Sequence, residues 1–204
     1  MTTATRSVLL ALRAERAAMA EGFKLLDDKR LLLAAELLRE LARYAGLWRE
    51  FGARCALARQ ALREALERHG LEGLQCYPAA LARDARIDAR EERLYGVRLQ
   101  SAALAWRVDE AAAPAHFSPE AERCRAEFRA LVERSAALAA SSGNLRRLAA
   151  EYRKTERRAR ALEEVLIPEL AALLRGIEEQ LDESEQEDAL LPRSARARAA
   201  ESEG

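Results

Sequence analysis

The chain has 204 residues, enough for one or two domains, and its 34 Lys plus Arg equal its 34 Asp plus Glu, so no net field draws it to nucleic acid or an anionic membrane. Half of the residues are nominally hydrophobic, but 45 are Ala against 33 Leu and only 5% are aromatic, which argues against a large globular core and for thin helix-on-helix packing. Cys55, Cys76 and Cys124 are too few and too scattered for a disulfide framework, and none forms a C-x-x-C pair, so a reducing cytoplasm is the expectation.

Residues Ser7 to about Arg68 contain no proline and carry a regular, heptad-like seam at Leu9, Leu12, Arg16, Met19, Phe23, Leu26, Arg30, Leu33 and Leu37. The seam then slips by one position to Leu41, Tyr44, Trp48, Phe51, Cys55, Ala58 and Leu62, which reads as a stutter in a coiled coil. His69-Gly70 and Gly73 supply the stop, so residues 1–70 are predicted to form one long helix. Residues 71–117 break the pattern and form a connector. Pro78 suits the start of a short helix over Ala79 to Arg83. Tyr95, Val97 and Leu99, then Leu104, Trp106 and Val108, alternate as two short strands of a small hairpin would, and Ala111 to Ala115 reads as a loop.

Ser118-Pro119-Glu120 is a helix start, with a capping hydroxyl, a first-turn proline and an acid at the positive end of the dipole. The seam that follows runs Cys124, Phe128, Leu131, Ser135, Leu138, Ser142, Leu145, Ala149 and Tyr152, its small residues suited to close helix approach. Ser141-Ser142-Gly143-Asn144 marks either a local bend or merely poor helix formers. The stripe continues as Thr155, Ala159, Leu162, Leu166, Leu170, Leu173, Ile177 and Leu181, with charge on the other faces. Pro168 lies inside it and is expected to kink the helix without ending it, because the stripe resumes beyond. Pro192 is expected to end the helix of residues 118–191, leaving 192–204 disordered by composition. The fold class is therefore mainly α: two long antiparallel helices forming a coiled coil, joined by a short connector with a small β-hairpin.

Catalytic chemistry is not legible. There is no P-loop and no G-x-G-x-x-G, and His69 and His116 lack the spacing of helical metal ligands, so no catalytic, cofactor or metal residue is assigned. The acidic run Glu178, Glu179, Asp182, Glu183, Glu185, Glu187 and Asp188 spreads over several helix faces, as a solvated surface does. Glu156, Arg160 and Glu164 are spaced for i,i+4 pairs. No apolar run approaches the roughly 18 residues of a membrane span, and the first residues carry no secretory pattern, so a soluble chain with no direct membrane insertion is expected.

Three stretches carry a family likeness. Lys154, Thr155, Arg157, Arg158, Ala161, Leu162, Glu163, Val165, Ile167, Pro168 and Leu170, followed by Leu181, Asp182, Glu183 and Glu185, resemble the carboxy-terminal helix of the D subunit of V-type and A-type rotary ATPases. Gly22, Lys24, Leu25, Leu26, Lys29 and Arg30 resemble its amino-terminal run, with Phe23 where His is usual, and Leu94 to Leu99 resembles its hairpin segment. Ala159-Arg160 stands where the family has Val-Asn, and Ala189 to Pro192 where it has a basic tail. The resemblance implies a non-catalytic central-stalk rotor subunit without cofactor. It further implies partners in the A and B subunits, the F subunit and the C/d subunit, and a cytoplasmic position peripheral to the membrane. Lys154, Arg157, Arg158 and Glu163 then become candidate contacts with the A/B hexamer, with intrahelical pairing as the other reading. A non-rotary coiled-coil adaptor of secretion or flagellar export type is the alternative function.

Overall fold

The computed structural model describes residues 5–77, 85–106 and 116–202, residues 188–202 by their backbone alone. The element order is α1 (Arg6–Gln75), β1 (Ala85–Leu94), β2 (Val97–Trp106), α2 (Pro119–Ala161), a π turn (Leu162–Leu166) and α3 (Ile167–Ser202). This is the mainly α architecture expected, two long helical stretches joined by a two-stranded antiparallel hairpin. The chain divides into two compact units, one of Leu32–Tyr152 and one of Met1–Leu31 with Arg153–Gly204. The predicted helix over Ala79 to Arg83 and the loop at Ala111 to Ala115 lie outside the described residues.

In the unit Leu32–Tyr152, α1 and α2 run antiparallel, as the cross-helix pairs Glu50 to Arg134, Arg54 to Glu127 and Glu64 to Arg123 require. The inward face of α1 is Leu33, Leu37, Glu40, Tyr44, Leu47, Phe51, Arg54, Ala58, Ala61 and Ala65, an unbroken alternation of four and three. The expected stutter is absent. Glu40 occupies the seam at 6% exposure while Leu41 is 52% exposed and Trp48 is turned outward, stacked on Tyr44 and Phe51. Reading apolarity alone put Leu41 in the seam because a carboxylate there needs partners that only the other helix supplies. On α2 the same shift applies: Ser141, Asn144 and Leu148 are buried, in place of the expected Ser142 and Ala149.

Those hydrogen-bond partners are polar groups of α2, with Arg43 of α1 itself nearby. The Ser141 hydroxyl donates to Glu40 Oε1 at 2.6 Å, the Asn144 amide reaches the same oxygen at 3.5 Å, and Arg43 lies 3.8 Å from Oε2. The helix is uninterrupted through Ser141 to Asn144. Two of its poor helix formers, Ser141 and Asn144, are tolerated because their side chains point inward and are bonded there.

The hairpin is docked by the same asparagine. Asn144 Nδ2 donates to the Gln100 carbonyl at 2.8 Å and its Oδ1 accepts the Gln100 N–H at 2.8 Å and an Arg147 guanidinium N–H at 2.7 Å. Gln100 is opposite Glu91 in the ladder, and with both its backbone groups turned to Asn144 the pair is of the non-hydrogen-bonded kind. Nearby, Val97 packs with Leu33 and Leu148, flanked by Leu37, Leu99 and Tyr152. The two-residue turn Tyr95-Gly96 has φ of 51° and 84°, the left-handed pair of a type I′ hairpin. This corrects the strand positions: the two alternating patches from Val97 to Trp106 are one strand, and its partner is the charged stretch Ala85–Leu94, whose exposed faces show no apolar period.

The other end of this unit closes at Gly70, where φ 66° and ψ 175° interrupt the helix before it resumes to Gln75. Leu74 then joins the small-residue cluster of Ala61, Ala65, Cys124 and Leu62. Ser118 caps α2, accepting the Ala121 N–H at 3.2 Å, and His69 Nε2 lies 2.6 Å from the same hydroxyl. Glu120 is held below the usual carboxylate range, first by its own backbone N–H and then by the Ser118 hydroxyl, Arg68 and His69, against an opposing effect of burial. Burial and a 2.9 Å bond to Glu122 push Tyr77 up, and burial alone pushes the Cys124 thiol up.

In the unit of Met1–Leu31 and Arg153–Gly204, Arg6 pairs with Glu185 and Arg13 with Glu178, each at 2.6 Å, seven residues apart on each helix and antiparallel. Thr155, Ala159, Leu170, Leu174 and Ile177 are buried. Leu166 and Leu173, expected in the stripe, are exposed, and the π turn that lies between Ala159 and Leu170 accounts for the displacement. The helical path does continue past Pro168. It also continues past Pro192 to Ser202, where the sequence reading ended it and left 192–204 disordered; the Ala- and Arg-rich run after Pro192 consists of strong helix formers.

Replacing the fully buried Leu148 by Ala should cost about 3 kcal/mol in urea unfolding, and Leu41→Ala less than about 1 kcal/mol. The reverse order would restore the slipped seam. A depressed folded pKa contributes stability that is present above the unfolded value and lost as pH falls through the folded one, so Glu120→Gln should be less stable than the parent at neutral pH and converge with it in strong acid.

Candidate functional site

The residues singled out in the sequence belong to one compact unit, that of Met1–Leu31 and Arg153–Gly204. On α2, Thr155 and Ala159 turn inward, which sets Arg153, Lys154, Arg157 and Arg158 on the solvent side of the same two turns. All four are exposed, and none forms an ion pair among the described residues. Arg160 instead pairs with Glu156 at 3.1 Å, as its i,i+4 spacing predicts. The result is a patch of four cations on two helical turns, in a chain whose overall charge is zero.

Glu163 is exposed too, but it stands in the π turn, where the helix widens and no residue is buried. Its neighbours Val165 and Leu166 are exposed with it. Pro168 stands two residues beyond the end of the π turn. Having no N–H, it cannot serve the Glu164 carbonyl, and its ring presses on that group. The wide turn relieves this clash: the Ile167 N–H donates to the Leu162 carbonyl, five residues back.

The amino-terminal run lies on α1. Lys24 and Leu25 are exposed, whereas Gly22, Leu26, Lys29 and Arg30 are partly buried. Arg30 is turned along its own helix to Asp27 at 2.6 Å. Among the described residues no three His, Cys, Asp or Glu side chains converge as a metal site requires, and no helix is long and apolar enough to cross a membrane.

What the sequence did not single out is Arg153, which completes the cationic patch, and the π turn itself. Arg153 could have been found from its helical position, four residues before Arg157 and opposite Thr155. The π turn was signalled by an eight-residue step, Leu162 to Leu170, where a heptad takes seven.

Long helices, a docked hairpin and an exposed cationic face define a mainly α protein of the coiled-coil class. Comparison with known proteins makes the class specific. The family model described as the ATP synthase D subunit matches residues 8–193. The chain is 33% identical over 202 residues to the V-type ATP synthase D subunit of Anaeromyxobacter dehalogenans, with 95% of each chain covered. It is 30% identical over 188 residues to that of Deinococcus radiodurans, covering 90% of this chain and 82% of the relative. To the A-type ATP synthase D subunit of Pyrococcus furiosus it is 31% identical over 189 residues, covering 90% and 88%. The chain belongs to the ATP synthase D-subunit family of V/A-type ATPases.

Because Lys154, Arg157 and Arg158 form no ion pair among the described residues, reversing all three to Glu should change unfolding free energy by less than about 1 kcal/mol. A thermal melt by circular dichroism checks this; a large loss of stability would assign these residues to the fold instead of to a partner.

Proposed function

We propose that this chain is the central-stalk rotor subunit of a V/A-type rotary ATPase or ATP synthase, a non-catalytic part that couples nucleotide turnover in an A/B hexamer to rotation of a membrane ion-translocating ring. The observation that carries the reading is the cationic patch of Arg153, Lys154, Arg157 and Arg158, exposed and, among the described residues, unpaired, within the family-matched stretch. Elsewhere the chain satisfies many of its arginines internally, through Arg6, Arg13, Arg54, Arg123 and Arg134 among others. An arginine row left unsatisfied is what an assembly surface retains.

In this reading Lys154, Arg157, Arg158 and Glu163 face the hexamer of A and B subunits, and the F and C/d subunits bind elsewhere along the chain. An asymmetric shaft inside a pseudo-threefold cavity touches each A–B pair differently. Shaft angle and the nucleotide state of each pair are then coupled free energies, and the coupling is reciprocal: hydrolysis turns the shaft, and a driven shaft reorders the sites. Contact of this kind requires differential interaction with the three pairs, not tight binding to any one.

Co-purification from the native host, with an affinity tag inserted after Ala112, tests the assignment. Recovery of A, B and F subunits with ATPase activity is the expected result. Recovery of a folded helical chain with none of them would favour a non-rotary coiled-coil adaptor. In the recovered complex, the triple reversal of Lys154, Arg157 and Arg158 to Glu should weaken association with the hexamer by at least about tenfold, equivalent to about 1.4 kcal/mol.

A further inference from the structure

The C-terminal helical segment contains one residue more than its seam needs. Thr155 and Ala159 are buried and Leu162 is half-buried, which fixes the phase of the seam before the π turn. Continued in steps of seven, that phase would bring Glu169 and Leu173, then Gly176 and Gln180, to the inward face. The residues buried there are one place later: Leu170, Leu174 and Ile177, with Leu181 half-buried. Leu173 is 56% exposed where Leu174 is 3%.

Burial decides between the two phases. The unshifted face offers one leucine among Glu169, Gly176 and Gln180, whereas the shifted face is Leu170, Leu174, Ile177 and Leu181, so the apolar area strongly favours the shift. A helix has one economical way to shift phase by a residue, which is to lodge the surplus in a wide turn. The π turn at Leu162–Leu166 does this, and Pro168 secures its place because it removes the N–H that a tighter turn would use next. The five residues of that turn include none that is buried, so the surplus sits where packing is thinnest.

We propose that Leu162–Leu166 is a torsional joint, a single surplus residue lodged between two seam segments, at which twist between α3 and the segment preceding the turn is taken up while each keeps its own seam. Its use as a joint rests on the rotor-shaft reading, in which torque passes along this helix. Its existence does not. Turning an ordinary packed helix requires seam contacts to break along its length, whereas here a stretch without buried side chains, with a longer hydrogen-bond step and a proline next to it, takes up the twist.

Two measurements on the full chain test the joint. In hydrogen–deuterium exchange, the amides of residues 162–167 should exchange at least about tenfold faster than those of 155–161 and 170–177. Equal protection across 155–177 would overturn the proposal without any variant. Deleting Glu164 together with Pro168→Ala should then convert the five-residue step into an ordinary four-residue one. It should slow exchange at this turn by about tenfold and leave the seam in place, so that in a chain with Cys55, Cys76 and Cys124 replaced by Ala, Leu173→Cys still reacts quickly with a thiol reagent and Leu174→Cys slowly. Faster exchange, loss of the helical fold, or a reversed labelling order in the deletion chain would each overturn it. Co-purification with A and B subunits is read separately: a complex that assembles around a chain with uniform exchange would mean a shaft without this joint, and a joint without a complex would mean that the helix serves another machine.

Discussion

Burial of a narrow seam at alternating steps of four and three is the constraint to which the other features of this chain answer. With alanine its commonest residue, the chain buries little area at each step, and Ala58, Ala61 and Ala65 contribute closeness of approach more than bulk. A seam of small increments is sensitive to phase, because one residue of slip rotates the buried face by about 100°. The two irregularities of the sequence are therefore absorbed by different means. In the unit Leu32–Tyr152 the phase is kept and a carboxylate, Glu40, is accepted into it. In the other unit the phase is changed, and a π turn absorbs the change.

Accepting Glu40 has a structural return. A buried carboxylate is costly unless its oxygens are hydrogen-bonded. Ser141 and Asn144 supply those bonds, and Asn144 uses the rest of its amide to bind both backbone groups of Gln100. One side chain thus ties α1, α2 and the hairpin together, substituting for a third strand at a single position. The bonds are directional, so they fix which residue of β2 meets α2. Apolar contact at Val97 would hold the ribbon but would not set its register so closely.

The sequence made the long helices and the presence of a hairpin legible, because proline-free runs and three-four spacing survive moderate noise. It misplaced faces wherever a polar residue faces inward or an apolar one outward: Leu41 was taken for Glu40, Ala149 for Leu148 and Leu173 for Leu174. In each case the two residues are neighbours, and only the partner element decides between them. The strand Ala85–Leu94 was not legible because both its faces are wet, and no burial pattern marks it. The exposure of Lys154, Arg157 and Arg158 was readable from helical position. Glu163 was readable as a letter, but its place in a widened turn was not, since a π turn has no residue signature apart from a miscount in the heptad.

The strand Ala85–Leu94 has a consequence for the chain before it finds any partner. In this two-stranded ribbon β2 turns its outer backbone groups at Gln100 to Asn144, and β1 forms the far edge, with no further strand beside it among the described residues. An open edge ten residues long is a template on which other extended chains can add. Here it is written as Arg86, Asp88, Arg90, Glu91, Glu92 and Arg93, charges of both signs that a stacked copy would have to strip of water. The charges that hid the hairpin from view thus also make this edge a poor template for a second copy of the strand.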